Sequence, residues 1–337
     1  MRNALSDLGF TETFRRSVNE IVELTATHLV GRVRRIDRGL TTILCVAAQD
    51  IAEGSPIAER RVRMIDADVA VGDWVVADPE GERVIAVVPR RSRLVRRASS
   101  DDDRAQAHVI AANIDVIFLV HSLDTTPNLR RLERELVIAF DSGAQPVAVL
   151  TKSDVIDAEE VEVARRAVTE TSLGVPVLVV SSVTGEGLSE LRKIIPAGAT
   201  AVALGASGVG KSTLVNALTG SGSQATGEIR PGDKRGRHTT TAAELVPLPE
   251  HGWLIDTPGL RTVGLWTSGH GIERAFADVF ALSEHCKFRD CKHTNEPGCA
   301  VQSAIVTGHL DSRRLESMQR LVAEEADLES KRRRAQR

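Results

Sequence analysis

The sequence predicts a multidomain chain: an α/β domain with a doubly wound parallel sheet, set between a small N-terminal β-barrel and a C-terminal helical segment that binds a metal. Three observations predict it. Short alternating strands separated by turn residues fill residues 29 to 88. From Ile114 onward, buried strands alternate with helical patterns around a complete G-x-x-x-x-G-K-S loop at Gly205–Ser212. Three of the four cysteines fall within the fourteen residues from Cys286 to Cys299.

A length of 337 residues suits two or three domains, and 26% charged residues with a net charge of −3 describe an ordinary soluble composition. No apolar run approaches the roughly 18–20 residues needed to cross a bilayer. Met1 to Phe10 lacks the basic-then-apolar layout of a signal peptide. A cytoplasmic monomer with no membrane partner is therefore expected. Aromatic residues make up 3% of the chain and tyrosine is absent, which argues against recognition of bases by stacking.

Residues 1–28 form an extension in which Phe14, Val18, Ile21 and Val22 share one face of a short helix, with no motif and no assigned role. The barrel, residues 29–95, is expected from strands at Leu29–Ile36, Leu40–Ala47, Arg61–Ile65, Asp73–Ala77 and Val84–Val88. Five short strands in this space fit a Greek-key barrel such as the OB-fold. Residues 29–98 hold thirteen arginines, no lysine and ten acids, a net of +3 against −3 for the chain. Such a basic barrel reads as a nucleic-acid surface, since neutralising phosphates supplies much of the affinity. With Trp74 its only aromatic, backbone and shape recognition is expected there.

Ser99-Ser100-Asp101-Asp102-Asp103-Arg104 is a polar linker at the start of the α/β domain, taken as residues 96–265. Ile114–Val120 reads as a buried strand, Leu129 to Phe140 as a helix and Pro146–Leu150 as the next strand. A helix over 158–171 and a strand at Pro176–Val180 follow. In such a sheet ligands gather at the strand carboxyl ends, where every candidate motif falls. In the loop Gly205-Ala206-Ser207-Gly208-Val209-Gly210-Lys211-Ser212, after the strand Ala201–Leu204 and before a helix opened by Ser212 and Thr213, backbone N–H groups cradle phosphates. Lys211 reaches the β- and γ-phosphates and stabilises the charge of transfer; the Ser212 hydroxyl binds Mg²⁺.

Upstream, Thr151-Lys152-Ser153-Asp154 resembles the N/T-K-x-D signature of GTPases. In that signature the aspartate pairs with guanine and the lysine stem packs along the base. Ser181-Ser182 looks like the short loop whose N–H meets guanine O6. Downstream, Gly220 to Arg237 reads as a mobile switch loop closing on His238-Thr239-Thr240-Thr241. Trp253-Leu254-Ile255 is a strand ending in Asp256-Thr257-Pro258-Gly259. This resembles the D-x-x-G element, whose aspartate holds Mg²⁺ through water and whose glycine N–H senses the γ-phosphate. Thr240 is the expected Mg²⁺ ligand of the threonine run.

Base specificity thus precedes the phosphate loop and the switches come last, so the domain looks circularly permuted, which is tolerable where termini lie close together. This order, with Val109–Asp115, Arg237–Thr241 and Cys286–Thr294, resembles the ribosome small subunit-dependent GTPase A (RsgA or YjeQ) family over about residues 29 to 310. The resemblance implies an OB-fold barrel and GTP hydrolysis to GDP and phosphate. It also implies stimulation by the small ribosomal subunit, contact with its rRNA and a role in late maturation of that subunit. Most GTPases place a water-orienting glutamine just after D-x-x-G; here Leu260 stands there, and the resemblance gives that role to His238. Thr151 replaces the commoner asparagine.

Cys286-x₄-Cys291-x-His293-x₅-Cys299 supplies three thiolates and one imidazole, the ligand set of a closed, structural Zn²⁺ site. It lies in the helical segment 266–337, flanked by helices at Gly271–Leu282 and Leu310–Leu328. The tail from Lys331 carries five positive charges and is expected to be disordered, in contact with rRNA or simply solvated. Two alternatives stay open on sequence alone: an ATPase of the same loop class, and a nucleotide-clamped RNA-binding assembly factor whose turnover is incidental.

Overall fold

The barrel strands form where alternation predicts them, with shifts of one to three residues at their ends. In the computed structural model, residues 5–37, 39–51, 55–64, 68–97, 107–220, 243–249, 251–257 and 270–335 are described. Helix α1 (Glu12–Ile21) precedes β1 (Leu29–Asp37), β2 (Leu40–Ala47), β3 (Ala58–Arg63), β4 (Trp74–Ala77) and β5 (Val84–Val87). The strands pair antiparallel in the order β3-β2-β1-β4-β5, and a bridge between Arg63 and Arg83 brings the far ends together. Alternate positions Val33, Ile43, Cys45, Val62 and Val75 fill the interior. The extension is part of this unit. Phe10 and Phe14 lie 4.8 and 5.6 Å from Trp74, ring to ring, and bury it completely. Trp74 is therefore enclosed by its own chain, against tilted rings, and offers nothing to a nucleic acid.

The polar run at 99–104 lies outside the described residues, but its flanks, β6 (Arg93–Arg97) and β7 (Ala107–Ala112), pair with each other. The chain thus doubles back here before entering the α/β sheet. Then follow β8 (Val116–Ser122), α2 (Leu129–Ser142), β9 (Gln145–Thr151), α3 (Ala158–Ser172), β10 (Val177–Val179) and α4 (Leu188–Lys193). β11 (Thr200–Gly205), α5 (Lys211–Thr219), β12 (Glu244–Pro247) and β13 (Trp253–Asp256) complete it. Local chemistry accounts for the helix ends. The Asn128 side chain accepts the Arg131 N–H at the start of α2, and Asp157 with Glu160 forms a capping box on α3.

The strands run in the order β10-β9-β8-β11-β13, all parallel, with antiparallel β12 at the edge. β12 also meets β1 through Arg35 and Glu244, so barrel and α/β sheet form one continuous eleven-stranded sheet. At their junction Arg32 is buried. It donates to Leu8 O at 2.6 Å, Thr200 Oγ1 at 2.7 Å, Asn113 O at 3.2 Å and Gly72 O at 3.3 Å. One side chain therefore ties the extension, the barrel and the α/β domain together; burial pushes its guanidinium down to about 10, which leaves it charged at neutral pH.

The expected helix at 271–282 is two short ones, α6 (His270–Ala275) and α7 (Ala277–Ser283), broken at Phe276. After them come α8 (Ala300–Val306) and α9 (Ser312–Ala335). Phe276, Val301, Leu315 and Leu321 share one core with Leu132, Leu136 and Val137 of α2. Arg314 of α9 locks that contact, donating to Asp278 Oδ1 at 2.9 Å, Glu133 Oε1 at 3.0 Å and Ala275 O at 2.7 Å. The basic tail expected to be disordered is helical as far as Ala335. Pairs four residues apart, Asp327–Lys331 at 2.7 Å and Glu329–Arg333 at 2.6 Å, offset the repulsion among its cations.

Candidate functional site

The expected nucleotide-site residues that are described converge on the carboxyl ends of β9, β10, β11 and β13. β11 lies between β8 and β13, with Gly205 opposite Val120 and Val202 opposite Ile255. A Cβ at Gly205 would sit 2.3 Å from the Val120 carbonyl oxygen, so only glycine lets the chain leave the sheet there. Gly208 and Gly210 follow with φ of +83° and +89°, the left-handed turns that aim the loop at the N-terminus of α5. Lys211 donates from Nζ to Gly205 O at 2.8 Å and to Ala206 O, spanning the loop. Ser207, Ser212 and Thr213 are exposed, while Ala206, Val209 and Lys211 are half-buried.

The Thr151–Asp154 segment touches this loop directly. The Thr151 hydroxyl lies 2.6 Å from Val209 O and 3.2 Å from His121 O, so threonine here supplies a strut under the phosphate loop. Lys152, at φ +62°, donates from Nζ to Gly208 O at 3.0 Å and to Asp124 Oδ2. Asp154 accepts from the buried Ser181 hydroxyl at 2.6 Å, and that hydroxyl oxygen also accepts the Val183 and Thr184 N–H groups at 3.2 and 3.1 Å. The short loop of Ser181 and Ser182 is thereby fixed against the aspartate. Ser153 donates to Glu186 Oε2 at 3.4 Å. Asp256 ends β13 one position beyond the Ile255–Val202 pair, on the same sheet edge as Gly205. His238, Thr240 and Gly259 lie outside the described residues, as does nearly all of the expected switch loop.

Sequence reasoning missed Asp124 and Ser122, in and just beyond the end of β8. Ser122 donates to Asp124 Oδ1 at 2.6 Å, and the Lys152 ammonium with that hydroxyl holds the Asp124 carboxyl below its usual range. The position next to a sheet's switch point was the available signal. His121, in the same strand, lies buried with Nε2 3.0 Å from Glu135 Oε2.

Among the described residues, six of the thirteen arginines are internally engaged. Arg32 is buried, Arg34 pairs with Glu59 and Glu244, Arg35 with Asp37, Arg83 with Asp78, Arg90 with Asp68 and Asp73, and Arg91 with Asp115. Arg60, Arg61 and Arg63 on β3 are exposed on the edge strand of the barrel.

Cys286, Cys291, His293 and Cys299 come together with their ligand atoms within 4.8 Å of one another. Cys286 and Cys299 sulfurs are 3.9 Å apart, and His293 Nδ1 is 3.6 and 3.5 Å from them. Metal–sulfur bonds of about 2.3 Å in a tetrahedron put sulfurs about 3.8 Å apart. Donor type and spacing both fit a closed Cys₃His zinc site. Burial raises the Cys286 thiol, but the N–H groups of Val301 and Ala300 at the start of α8, together with the Cys299 and Cys291 side chains, hold it below its ordinary value. Gln302 donates from Nε2 to His293 O at 2.5 Å, and the Glu296 carboxylate accepts the Lys292 and Thr294 N–H groups at 2.9 and 2.8 Å, bracing the loop between ligands.

A family model described as RsgA GTPase matches residues 87–266. A Streptomyces avermitilis protein named small ribosomal subunit biogenesis GTPase RsgA is 45% identical over 302 residues, 88% of this chain and 79% of that protein. This chain belongs to the RsgA GTPase family. A Methanosarcina acetivorans protein of the same name is 41% identical over 317 residues, 91% of this chain and 83% of its own. Among solved structures, YloQ, described as a circularly permuted GTPase, superposes with a TM-score of 0.64 at 25% identity, covering 91% of this chain and 98% of that one. Thermotoga maritima YjeQ gives 0.64 at 24%, covering 89% and 99%, a likeness of fold. The family's permuted order is the one in this sheet, with Thr151–Asp154 ahead of Gly205–Ser212 and Asp256 last. Among the described residues no helix is long and apolar enough to cross a membrane.

Proposed function

We propose that this chain hydrolyses GTP to GDP and phosphate on the small ribosomal subunit, in a late step of its assembly, and is stimulated by the subunit. The carrying observation is the physical union of two recognition elements: Thr151 and Lys152 bond to Val209 O and Gly208 O of the phosphate loop. A base held by Asp154 and the Ser181-Ser182 loop is then in register with phosphates held by Gly205–Ser212. Lys211 neutralises charge on the transferred phosphoryl group, and His238 orients the attacking water for in-line displacement. Ser212 and Asp256, a hydroxyl and a carboxylate on adjoining elements, suit a hard oxygen-seeking cation, and Thr240 completes the set. A Mg²⁺ ion held by these residues would supply positive charge to the phosphate oxygens during transfer. Gly259 senses the γ-phosphate.

The working division is an extension at 1–28, a barrel at 29–95, the permuted GTPase domain at 96–265 and a zinc-bound helical domain at 266–337. Cys286, Cys291, His293 and Cys299 hold one structural Zn²⁺. Exposure on the edge strand supports Arg60, Arg61 and Arg63 on β3 as the barrel's contact with rRNA phosphates. The protein works as a cytoplasmic monomer.

Competition binding tests the nucleotide assignment. Unlabelled GTP displaces a fluorescent guanine nucleotide, ATP at the same concentration does not, and Asp154→Asn loses the preference. Equal displacement by ATP would make the chain an adenine-nucleotide enzyme instead.

A further inference from the structure

Asp124 belongs to no motif, yet it grips the lysine of the guanine site. One carboxylate oxygen takes the Ser122 hydroxyl at 2.6 Å and the other takes the Lys152 ammonium, whose second partner is Gly208 O at 3.0 Å. Asp124 and Lys152 are 42% and 31% exposed, so solvent screening makes this ion pair a weak source of fold stability. Its effect is geometric. Lys152 leaves the backbone at φ +62°, and its stem must span from that point to the phosphate loop to form a wall for the base. With Gly208 O alone as anchor, a long side chain regains much of its rotamer freedom, and each nucleotide that binds must order it again.

We propose that Asp124 is a positioning residue for guanine-nucleotide binding, which acts by stretching Lys152 between β8 and the phosphate loop. This rests on the GTPase reading above. Because the base wall serves GDP and GTP alike, the residue sets affinity for both equally and leaves the discrimination between them to the γ-phosphate elements. Ser122 is its own anchor, fixing the carboxylate rotamer that faces the lysine.

A double-mutant cycle on the full chain tests it, using fluorescent GDP titrations and steady-state GTP hydrolysis. Asp124→Ala is expected to weaken GDP and GTP by the same factor, about tenfold or 1.4 kcal/mol, with the loss in KM rather than kcat. Asp124→Asn keeps the shape and one accepting oxygen for Lys152, while its amide N–H can donate to the Ser122 hydroxyl oxygen, and it recovers most of the affinity. In a Lys152→Ala background, Asp124→Ala adds nothing, because the residue it positions is gone. The proposal fails if Asp124→Ala binds as the wild type does, if either variant binds more tightly, if the loss persists undiminished without Lys152, or if it appears in kcat alone. Failure of the wild-type chain to bind GDP would be a different result and would remove the GTPase reading itself.

Discussion

Arg314→Met removes the cation that docks the helical domain while keeping a long side chain in its place. The Arg314 side chain is 10% exposed and its partner Glu133 is 7% exposed, so the orphaned carboxylate cannot readily regain water. Asp278, at 26%, can in part. Breaking a buried pair by removing one partner costs about 3–5 kcal/mol, and the partial exposure of Asp278 puts this case near the lower end. The lost contact with Phe276, whose ring centre lies 4.8 Å from the guanidinium carbon, adds to it. Denaturant unfolding should show this loss, and hydrogen exchange should localise it to α6 through α9 and the facing side of α2. Adding Glu133→Gln to the same chain removes the stranded charge and should return part of the stability. If Arg314→Met unfolds within about 1 kcal/mol of the wild type, a change typical of an exposed pair, the network does not hold the domain and the shared apolar core does so alone.

Three further outcomes follow from the same geometry. Metal analysis of the purified chain should find one zinc per molecule, and Cys291→Ser should lose it and unprotect α8 while the phosphate-loop helix stays protected. The Lys292 and Thr294 N–H groups hold Glu296 at about 2, below its ordinary 4.5. A depressed carboxylate stabilises the folded loop above pH about 4.5 and loses that contribution as pH falls toward 2; a Glu296→Gln chain should therefore differ from the wild type at pH 6 and converge with it in acid, as read by melting temperature. Charge reversal of Arg60, Arg61 and Arg63 together should weaken small-subunit binding and flatten its salt dependence, with GDP affinity unchanged; a salt slope equal to the wild type's would move the RNA contact elsewhere.

The parts legible in the sequence are those governed by local rules. Gly205–Ser212, Thr151–Asp154 and Cys286–Cys299 carry their chemistry in short spacings, and the buried strands announce themselves by apolar runs. What escaped depends on partners distant in the chain. Arg32 looked like one of thirteen surface arginines until Leu8, Asn113 and Thr200 closed around it. Nothing local marks Trp74 as buried; the extension, which carries no motif, places Phe10 and Phe14 over it. Asp124 has no local pattern because its meaning comes from Lys152 on the neighbouring strand's end. The charge count of the tail predicts disorder, whereas the spacing of its acids and bases four residues apart favours helix.

Under the proposed function, this enzyme's turnover belongs to the ribosomal subunit. Leu260, where most GTPases carry glutamine, leaves the isolated chain without that water-orienting group. The direct measurement is phosphate release from GTP by the purified chain, alone and with purified small ribosomal subunits. Slow release alone and a clear acceleration by the subunits, lost on His238→Ala, are expected. Fast turnover by the isolated chain, indifferent to added subunits, would contradict it.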